Sequence, residues 1–440
     1  MVDLVSNATL DRTTFTTSRL LEFFSEKELS MQIGHERPLW PLAVVKELID
    51  NALDACESAG VSPEVEVVLA ADFVSVRDNG PGIPPATLER SLDYLVRVSD
   101  KQYYISPTRG QLGNALKCVW AAPYVATGEQ AHVEVIAGGV RHDVTVRLSR
   151  IAQRPELSYD VSPDGFVRNG TFVKVDWPGI AGYLSSGIPQ LLRAYGVFNP
   201  HASFTYRDAC RDWIGTVEPT TPGWRKWAPS DPTSPHWYNL AQLRALVGAY
   251  VSDERNGGRA RTVREFVSEF KGLAGTAKQK QVTDGAGLSG AYLHDLVTDD
   301  DVDPDRAAAL LAAMQAESRA PKPGALGVLG EAHLTKYMVD RNWVASDSVK
   351  YKKVEGAARG LPFILEVAFG VSPEDDAMRE VVVGLNWTPA LKPPIRELMT
   401  LLGQQRIDPH DPVVVIVHLA CPVMQFADRG KGVLDLLRED

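Results

Sequence analysis

The stretch Lys46-Glu47-Leu48-Ile49-Asp50-Asn51-Ala52-Leu53-Asp54-Ala55 limits the architecture more than any other part of this 440-residue chain. It lies within a helix predicted over residues 42–58, which puts Glu47 and Asn51, four apart, on one face. Two β-branched, alternating segments follow, residues 65–69 and 74–77, and the second delivers Asp78 into the turn Asp78-Asn79-Gly80-Pro81-Gly82-Ile83. A helix presenting an acid and an amide, then a strand ending at a carboxylate in a glycine turn, calls for an α+β fold. The set also suits a nucleotide pocket. One carboxylate orients and deprotonates a water, an amide oxygen meets Mg²⁺, and a second carboxylate accepts from an adenine amino group.

Length implies two or three domains. With 44% hydrophobic and 23% charged residues the composition is that of a soluble globular protein. A net charge of −10 argues against a nonspecific nucleic-acid coat but leaves room for a local basic groove. Cys56, Cys118, Cys210 and Cys421 are far apart and form no CxxC pair, which disfavours zinc and disulfides and fits a reducing cytosol. The N-terminus lacks the pattern of a signal peptide. The longest apolar run, residues 413–423, is interrupted by His418 and too short to span a bilayer, so a cytoplasmic protein without membrane contact is expected.

Further along, helices are predicted over residues 15–30, 87–96 and from 113, with a polar, tyrosine-bearing stretch at 99–109 and strands at 132–136, 142–146 and 171–175. The Pro/Ser/Thr/Trp-rich residues 218–235 mark a boundary. Residues 240–247, 263–270, 291–297 and 306–316 read as helical. Residues 362–369 and 412–419 then read as strands, with a helix at 395–402 between them. The expected division is 1–235, 236–335 and 336–440.

Two more strings bear on the pocket. Arg109-Gly110-Gln111-Leu112-Gly113-Asn114-Ala115-Leu116-Lys117 places glycines before a helix, where backbone N–H groups and the helix dipole cradle phosphates, and Lys117 adds charge. Gly170-Thr171 precedes a strand and puts a small hydroxyl beside the base. A lone glutamate on an amphipathic helix is ordinarily a solvated one, and Asp-Asn-Gly alone is a common turn. The succession of all four strings is far more specific.

That succession resembles the motif boxes of the GHKL ATPases, the class containing gyrase, Hsp90, histidine kinases and MutL. The resemblance implies the GHKL (Bergerat) α/β sandwich, ATP and Mg²⁺ as ligands, and Glu47 as general base. It further implies Asn51 as the Mg²⁺ ligand, Asp78, Gly80 and Gly82 at the adenine, residues 109–117 at the phosphates, and Thr171 enclosing the base.

Leu21-Glu22-Phe23-Phe24, Ser58-Ala59-Gly60, Arg109-Gly110-Gln111 and Asn199-Pro200-His201 narrow the resemblance to the B-subunit family of DNA topoisomerase VI. Thr262-Val263-Arg264-Glu265-Phe266-Val267 and Val328-Leu329-Gly330-Glu331 resemble the edges of its helix-two-turns-helix module. Residues 363–369 and 413–419 resemble its transducer strands, and Phe426-Ala427-Asp428-Arg429-Gly430-Lys431 its switch-lysine loop. The family match implies that Lys431 senses the γ-phosphate and that Asp100 and Lys101 meet nucleotide from a lid. It also implies an ATP-dependent homodimer, DNA as a partner, and a separate protein, similar to the topoisomerase VI A-subunit, that cuts it. The chain departs from the family at Ala115, where another glycine is usual, and at Asp440, short of a long transducer helix. Two other readings follow from those departures and from the shared boxes. One is a non-catalytic scaffold for a relative of the cleavage protein; the other is a MutL-like ATPase, which has no natural place for residues 236–330.

Residues 255–280 carry seven Lys/Arg against Glu265 and Glu269, and residues 281–305 carry seven Asp with no Lys or Arg. This reads first as solvated surface and second as a DNA-facing patch beside a repelling one. Asp299, Asp301 and Asp303 open like an EF-hand, but Pro304 and Leu310 stand where Gly and Glu belong, which disfavours calcium.

Overall fold

Alternating β-branched residues build the largest layer of the protein. The structure is a computed structural model that describes residues 23–93, 103–109, 115–149, 151–152, 154–165, 169–374, 376–426 and 434. Its first part contains helices α1 (Glu26–Ile33), α2 (Trp40–Ser58), α3 (Pro85–Ser91), α4 (Ala115–Thr127), α5 (Ala181–Leu184) and α6 (Gly187–Phe198). Eight strands accompany them: β1 (Glu64–Leu69), β2 (Phe73–Asp78), β3 (Ala131–Ala137), β4 (Val140–Ser149), β5 (Arg154–Pro163), β6 (Thr171–Asp176), β7 (Ser203–Asp208) and β8 (Trp213–Val217). They form one sheet in the order β5-β4-β3-β6-β2-β1-β7-β8, in which β1 and β7 run parallel and the other neighbours antiparallel.

Helix α2 lies on β1 and β2, α4 on β3, β4 and β6, and α6 on β7 and β8. Val65, Val67 and Leu69, like Val133 and Val135, Val144 and Val146, or Val173 and Val175, are buried at every second position beneath these helices. Trp40, Val44, Leu48, Ile49 and Leu53 supply the matching stripe of α2.

The helical part follows: α7 (Leu240–Arg255), α8 (Val263–Ser268), α9 (Thr276–Gly285) and α10 (Pro304–Ala316), with a ribbon of β9 (Val297–Thr298) and β10 (Asp301–Val302). Capping boxes start α7 at Asn239–Gln242 and α8 at Thr262–Glu265. Asp303 caps α10 by accepting from the N–H groups of Asp305 and Arg306, while Asp299 and Asp300 take the left-handed turn between β9 and β10. The aspartate run is therefore turn and cap chemistry. Several of the basic residues before it are also engaged: Arg255 with Asp300, Arg259 with Glu265 and Arg261 with Glu269. The helix expected over 291–297 is a single tight turn, Leu293–Leu296, running into β9.

The last part holds α11 (Glu331–Asp340), β11 (Lys350–Ala358), β12 (Leu361–Val371), β13 (Glu380–Leu385), β14 (Thr388–Pro389), α12 (Arg396–Gln404) and β15 (Val413–Ala420). Its sheet runs β11-β12-β15-β13-β14, with β13 and β15 parallel. Leu310, Met314 and Leu326 share one apolar cluster with Ile364, Ala368, Trp387 and Ile416, and the cluster reaches Val197 and Phe198 at the end of α6. No helix among the described residues is long and apolar enough to cross a membrane.

Candidate active site

Helix α2 begins at Trp40-Pro41, where proline fits the first turn, and presents Glu47 and Asn51 one turn apart. The Glu47 side chain is 31% exposed and lies 3.9 Å from Lys46. Asn51 is half-buried, and no hydrogen bond engages its side chain among the described residues. Both groups are thus placed to meet a ligand instead of the fold.

Asp78 ends β2 next to β1 and β6. Its Oδ1 accepts from the N–H of Gly80 at 2.8 Å and of Thr171 at 3.2 Å. Burial pushes its carboxyl upward, against the hydrogen bonds from Gly80 and Thr171 that favour the charged form. Backbone approach is closest at Gly170, where φ is +86° and an added Cβ would stand 1.9 Å from the Asp78 carbonyl oxygen. Gly82, at φ +88°, faces the Gly170 carbonyl at 3.2 Å from such a Cβ. Gly80 passes Asp78 Oδ1 at 3.0 Å and Cys56 Sγ at 3.2 Å by the same measure. Asn79 is structural: its Oδ1 accepts from Glu64 N at 3.0 Å and its Nδ2 donates to Ser62 O at 3.0 Å, tying the turn to the start of β1.

Arg109 lies elsewhere than at a phosphate. Its side chain is fully buried and donates to Asp54 at 2.7 Å, to both oxygens of Glu57 at 2.7 and 2.9 Å, and to Asn199. Lys226 Nζ reaches the same Glu57 at 2.7 Å and lies over the Trp387 ring at 4.7 Å. His201 Nε2 adds a contact to Glu57 at 3.2 Å. Burial pushes the Glu57 carboxyl up, but Arg109 and Lys226 more than offset it and hold the group well below the usual range. Burial lowers Lys226, with Glu57 opposing. On the other side of Arg109, Asp50 accepts from Tyr195 Oη at 2.7 Å, Thr388 Oγ1 at 2.9 Å and Lys46 Nζ at 2.9 Å. Three acids of α2 thus meet cations and hydroxyls from several other parts of the chain.

Lys117 likewise departs from the phosphate expectation. It is buried on α4 and donates to the Asp93 carbonyl at 2.7 Å. Leu116 packs against the first core. Asp100, Lys101, Gly110, Gln111, Leu112, Gly113, Asn114 and Lys431 lie outside the described residues, as does the side chain of Ala115. The structure therefore brings together Asp78, Gly80, Gly82 and Thr171 around one turn, and Glu47 with Asn51 on the helix packed beside it. Asp50, Asp54, Glu57 and Lys226 carry a charge network that the sequence motifs do not single out. Acids at 50, 54 and 57 follow helical spacing and are findable as one face; Lys226, in the irregular connector, gives no signal.

A sheet with helices laid on it, an acid and an amide one turn apart on the central helix, and a buried aspartate in a glycine turn define a nucleotide-binding ATPase domain of the GHKL class. In agreement, residues 36–151 match the family model described as histidine kinase-, DNA gyrase B-, and HSP90-like ATPase. The chain as a whole is homologous to the B-subunit of type 2 DNA topoisomerase 6. It is 25% identical to that protein of Archaeoglobus fulgidus over 439 residues, covering 93% of this chain and 69% of the relative. Against the protein of the same name from Saccharolobus islandicus it is 26% identical over 379 residues, 81% of this chain and 67% of the relative. A solved structure, the 43K ATPase domain of Thermus thermophilus gyrase B, is a looser likeness at TM-score 0.34 and 14% identity, covering 89% of this chain and 78% of its own.

Proposed function

We propose that this chain is the ATP-operated component of a type IIB-like topoisomerase. In this reading it binds and hydrolyses ATP, dimerises on ATP, and gates DNA for a separate cleavage protein. Residues 1–235 form the ATPase part, 236–335 the helix-two-turns-helix-like part and 336–440 a transducer-like part. The observation that carries the reading is the pair Glu47 and Asn51, presented one turn apart on α2 with no buried partner, beside the fixed carboxylate of Asp78.

Asp78 accepts from the adenine amino group, and Thr171 and Gly82 border the base. The Asn51 amide oxygen would hold Mg²⁺, which draws charge from the phosphates when bound. Glu47 orients a water and takes its proton as the water oxygen attacks the γ-phosphorus; the bond to the β-phosphate oxygen breaks and ADP leaves. Lys431, by the family match, senses the γ-phosphate. ATP and ADP then differ in their contacts, which is what lets hydrolysis shift a dimer equilibrium.

The test is ATP turnover by the wild-type protein beside Glu47→Ala, with oligomer size followed in a non-hydrolysable ATP analogue. Turnover lost in the variant, with analogue-driven dimers in both, is the expected result. A wild-type protein with neither turnover nor nucleotide-dependent dimers overturns the reading in favour of a scaffold.

A further inference from the structure

Residues 103–109 join the two cores of the protein in seven residues, and both ends are chemically fixed. At one end the Tyr104 hydroxyl meets the Tyr250 hydroxyl of α7 and donates to Glu269 at 3.1 Å. Glu269 also accepts from Tyr250 at 2.6 Å and from Arg261 at 2.5 Å, and Arg261 lies 4.6 Å over the Tyr250 ring. Ile105 is held on both backbone sides: its N–H donates to Tyr238 Oη at 2.9 Å, and its carbonyl accepts from Thr233 Oγ1 at 2.6 Å. Its side chain belongs to the core of the helical part. At the other end Arg109 enters the carboxylates of α2, close to Asp50 and bonded to Asp54, on the helix that presents Glu47 and Asn51.

A chain of seven residues cannot take up slack. Extended, it spans at most about 25 Å, and here five consecutive residues, 105–109, are buried. The Asp78–Thr171 pocket is built from β2 and β6 and touches none of these anchors. The two halves of the site are therefore held differently, the base pocket by the sheet and the face with Glu47 by the strap.

We propose that residues 103–109 are a tether through which the helical part holds α2 in its hydrolytic register, with Tyr104 and Arg109 as positioning residues for ATP turnover. The inference rests on the ATPase reading above. Its signature is a split: loosening the helical end slows hydrolysis while leaving nucleotide affinity alone, because adenine is read on the other half of the site.

The experiment compares ATP turnover and ATP binding in the full chain for wild type, Tyr104→Phe and Tyr238→Phe. Each variant removes one hydroxyl and keeps its ring. Each is expected to lower kcat about three- to ten-fold, the effect of one or two hydrogen bonds, with the ATP Kd within about two-fold of wild type. Unchanged kcat in both variants, even with a lower melting point, overturns the tether and makes these contacts structural only. A rise in Kd with kcat unchanged overturns it equally. Wild-type protein that neither binds nor hydrolyses ATP would instead remove the ATPase reading and this inference together, so the two failures are told apart by the wild-type lane.

Discussion

The guanidinium of Arg109 and the carboxylate of Glu57 meet through two hydrogen bonds of 2.7 and 2.9 Å, with side-chain exposures of 0% and 6%. This fork joins the ATPase helix to a residue of the segment just before the glycine-bearing 110–113 sequence. Lys226, arriving from the connector, makes the same carboxylate serve two cations.

Removing that carboxylate strands two buried charges. Glu57→Gln keeps the shape and is expected to cost about 3 kcal/mol, because Arg109 and Lys226 lose more than a hydrogen bond each. Lys226→Met in the same background should recover part of the loss. Urea unfolding of wild type, both single variants and the double variant measures the coupling; strict additivity would refute it.

Gly170 and Gly60 make a matched pair. Both have positive φ, +86° and +69°, but a Cβ at Gly60 meets nothing within 4 Å whereas one at Gly170 stands 1.9 Å from the Asp78 carbonyl. Gly60→Ala should cost about 1 kcal/mol from backbone conformation alone. Gly170→Ala must also move the end of β2, so it should cost clearly more and abolish nucleotide binding. Thermal melts with and without ATP separate the two effects.

Asp78→Asn retains an oxygen for the N–H groups of Gly80 and Thr171 but loses the carboxylate that faces an amino group. ATP affinity is expected to fall at least about ten-fold. The melting point should hold or rise slightly, since burial disfavours the charged form of this group. Isothermal titration and a melt on the same sample check both.

His333 gives the fold a pH dependence of known sign. Burial pushes its pKa down to about 4, with the Nε2–H donating to the Val197 carbonyl at 2.7 Å and Nδ1 accepting from Thr220 at 2.5 Å. The folded state holds the imidazole neutral and the unfolded state takes up the proton. Its contribution is therefore full above about pH 6.5 and falls by about 1.4 kcal/mol per unit down to about pH 4. Glu366 acts in a lower window. Burial raises it, but His418 and the N–H groups of Leu329 and Gly330 bring it to about 2, so its contribution is lost only as pH falls from about 4.5 toward 2. Unfolding free energies at pH 7 and pH 5 should differ less in His333→Gln than in wild type.

How much of this is legible in the sequence depends on where each signal lives. Helix α2 and strands β1, β2, β3, β4, β6, β12 and β15 declare themselves because each alternates or repeats against a buried face. Strand β5 does not: Arg154, Glu156, Asp160 and Val161 are exposed at the sheet edge, so no apolar period marks it. Helix α9 is nearly all polar, with Gln279, Val282 and Thr283 its buried residues. For the site, Asp78 and its glycines are readable because tight backbone approach demands particular residues. The fates of Arg109 and Lys117 are not, because a cation's partner is set by whatever tertiary packing brings to it.

Strand order has a consequence for synthesis. The sheet centre is β6-β2-β1-β7, yet β6 begins at Thr171 and β7 at Ser203, after all of β1 to β5 have been made. Until residue 176 leaves the ribosome, β1-β2 and β3-β4-β5 are two separate ribbons with no strand to zip them. The family-matched residues 36–151 contain neither β6 nor β7, so excised they would expose bare edges on both ribbons. The pocket aspartate on β2 and the Thr171 that fixes it are thus late acquaintances, and the nucleotide site can mature only once the emerging chain has doubled back on itself.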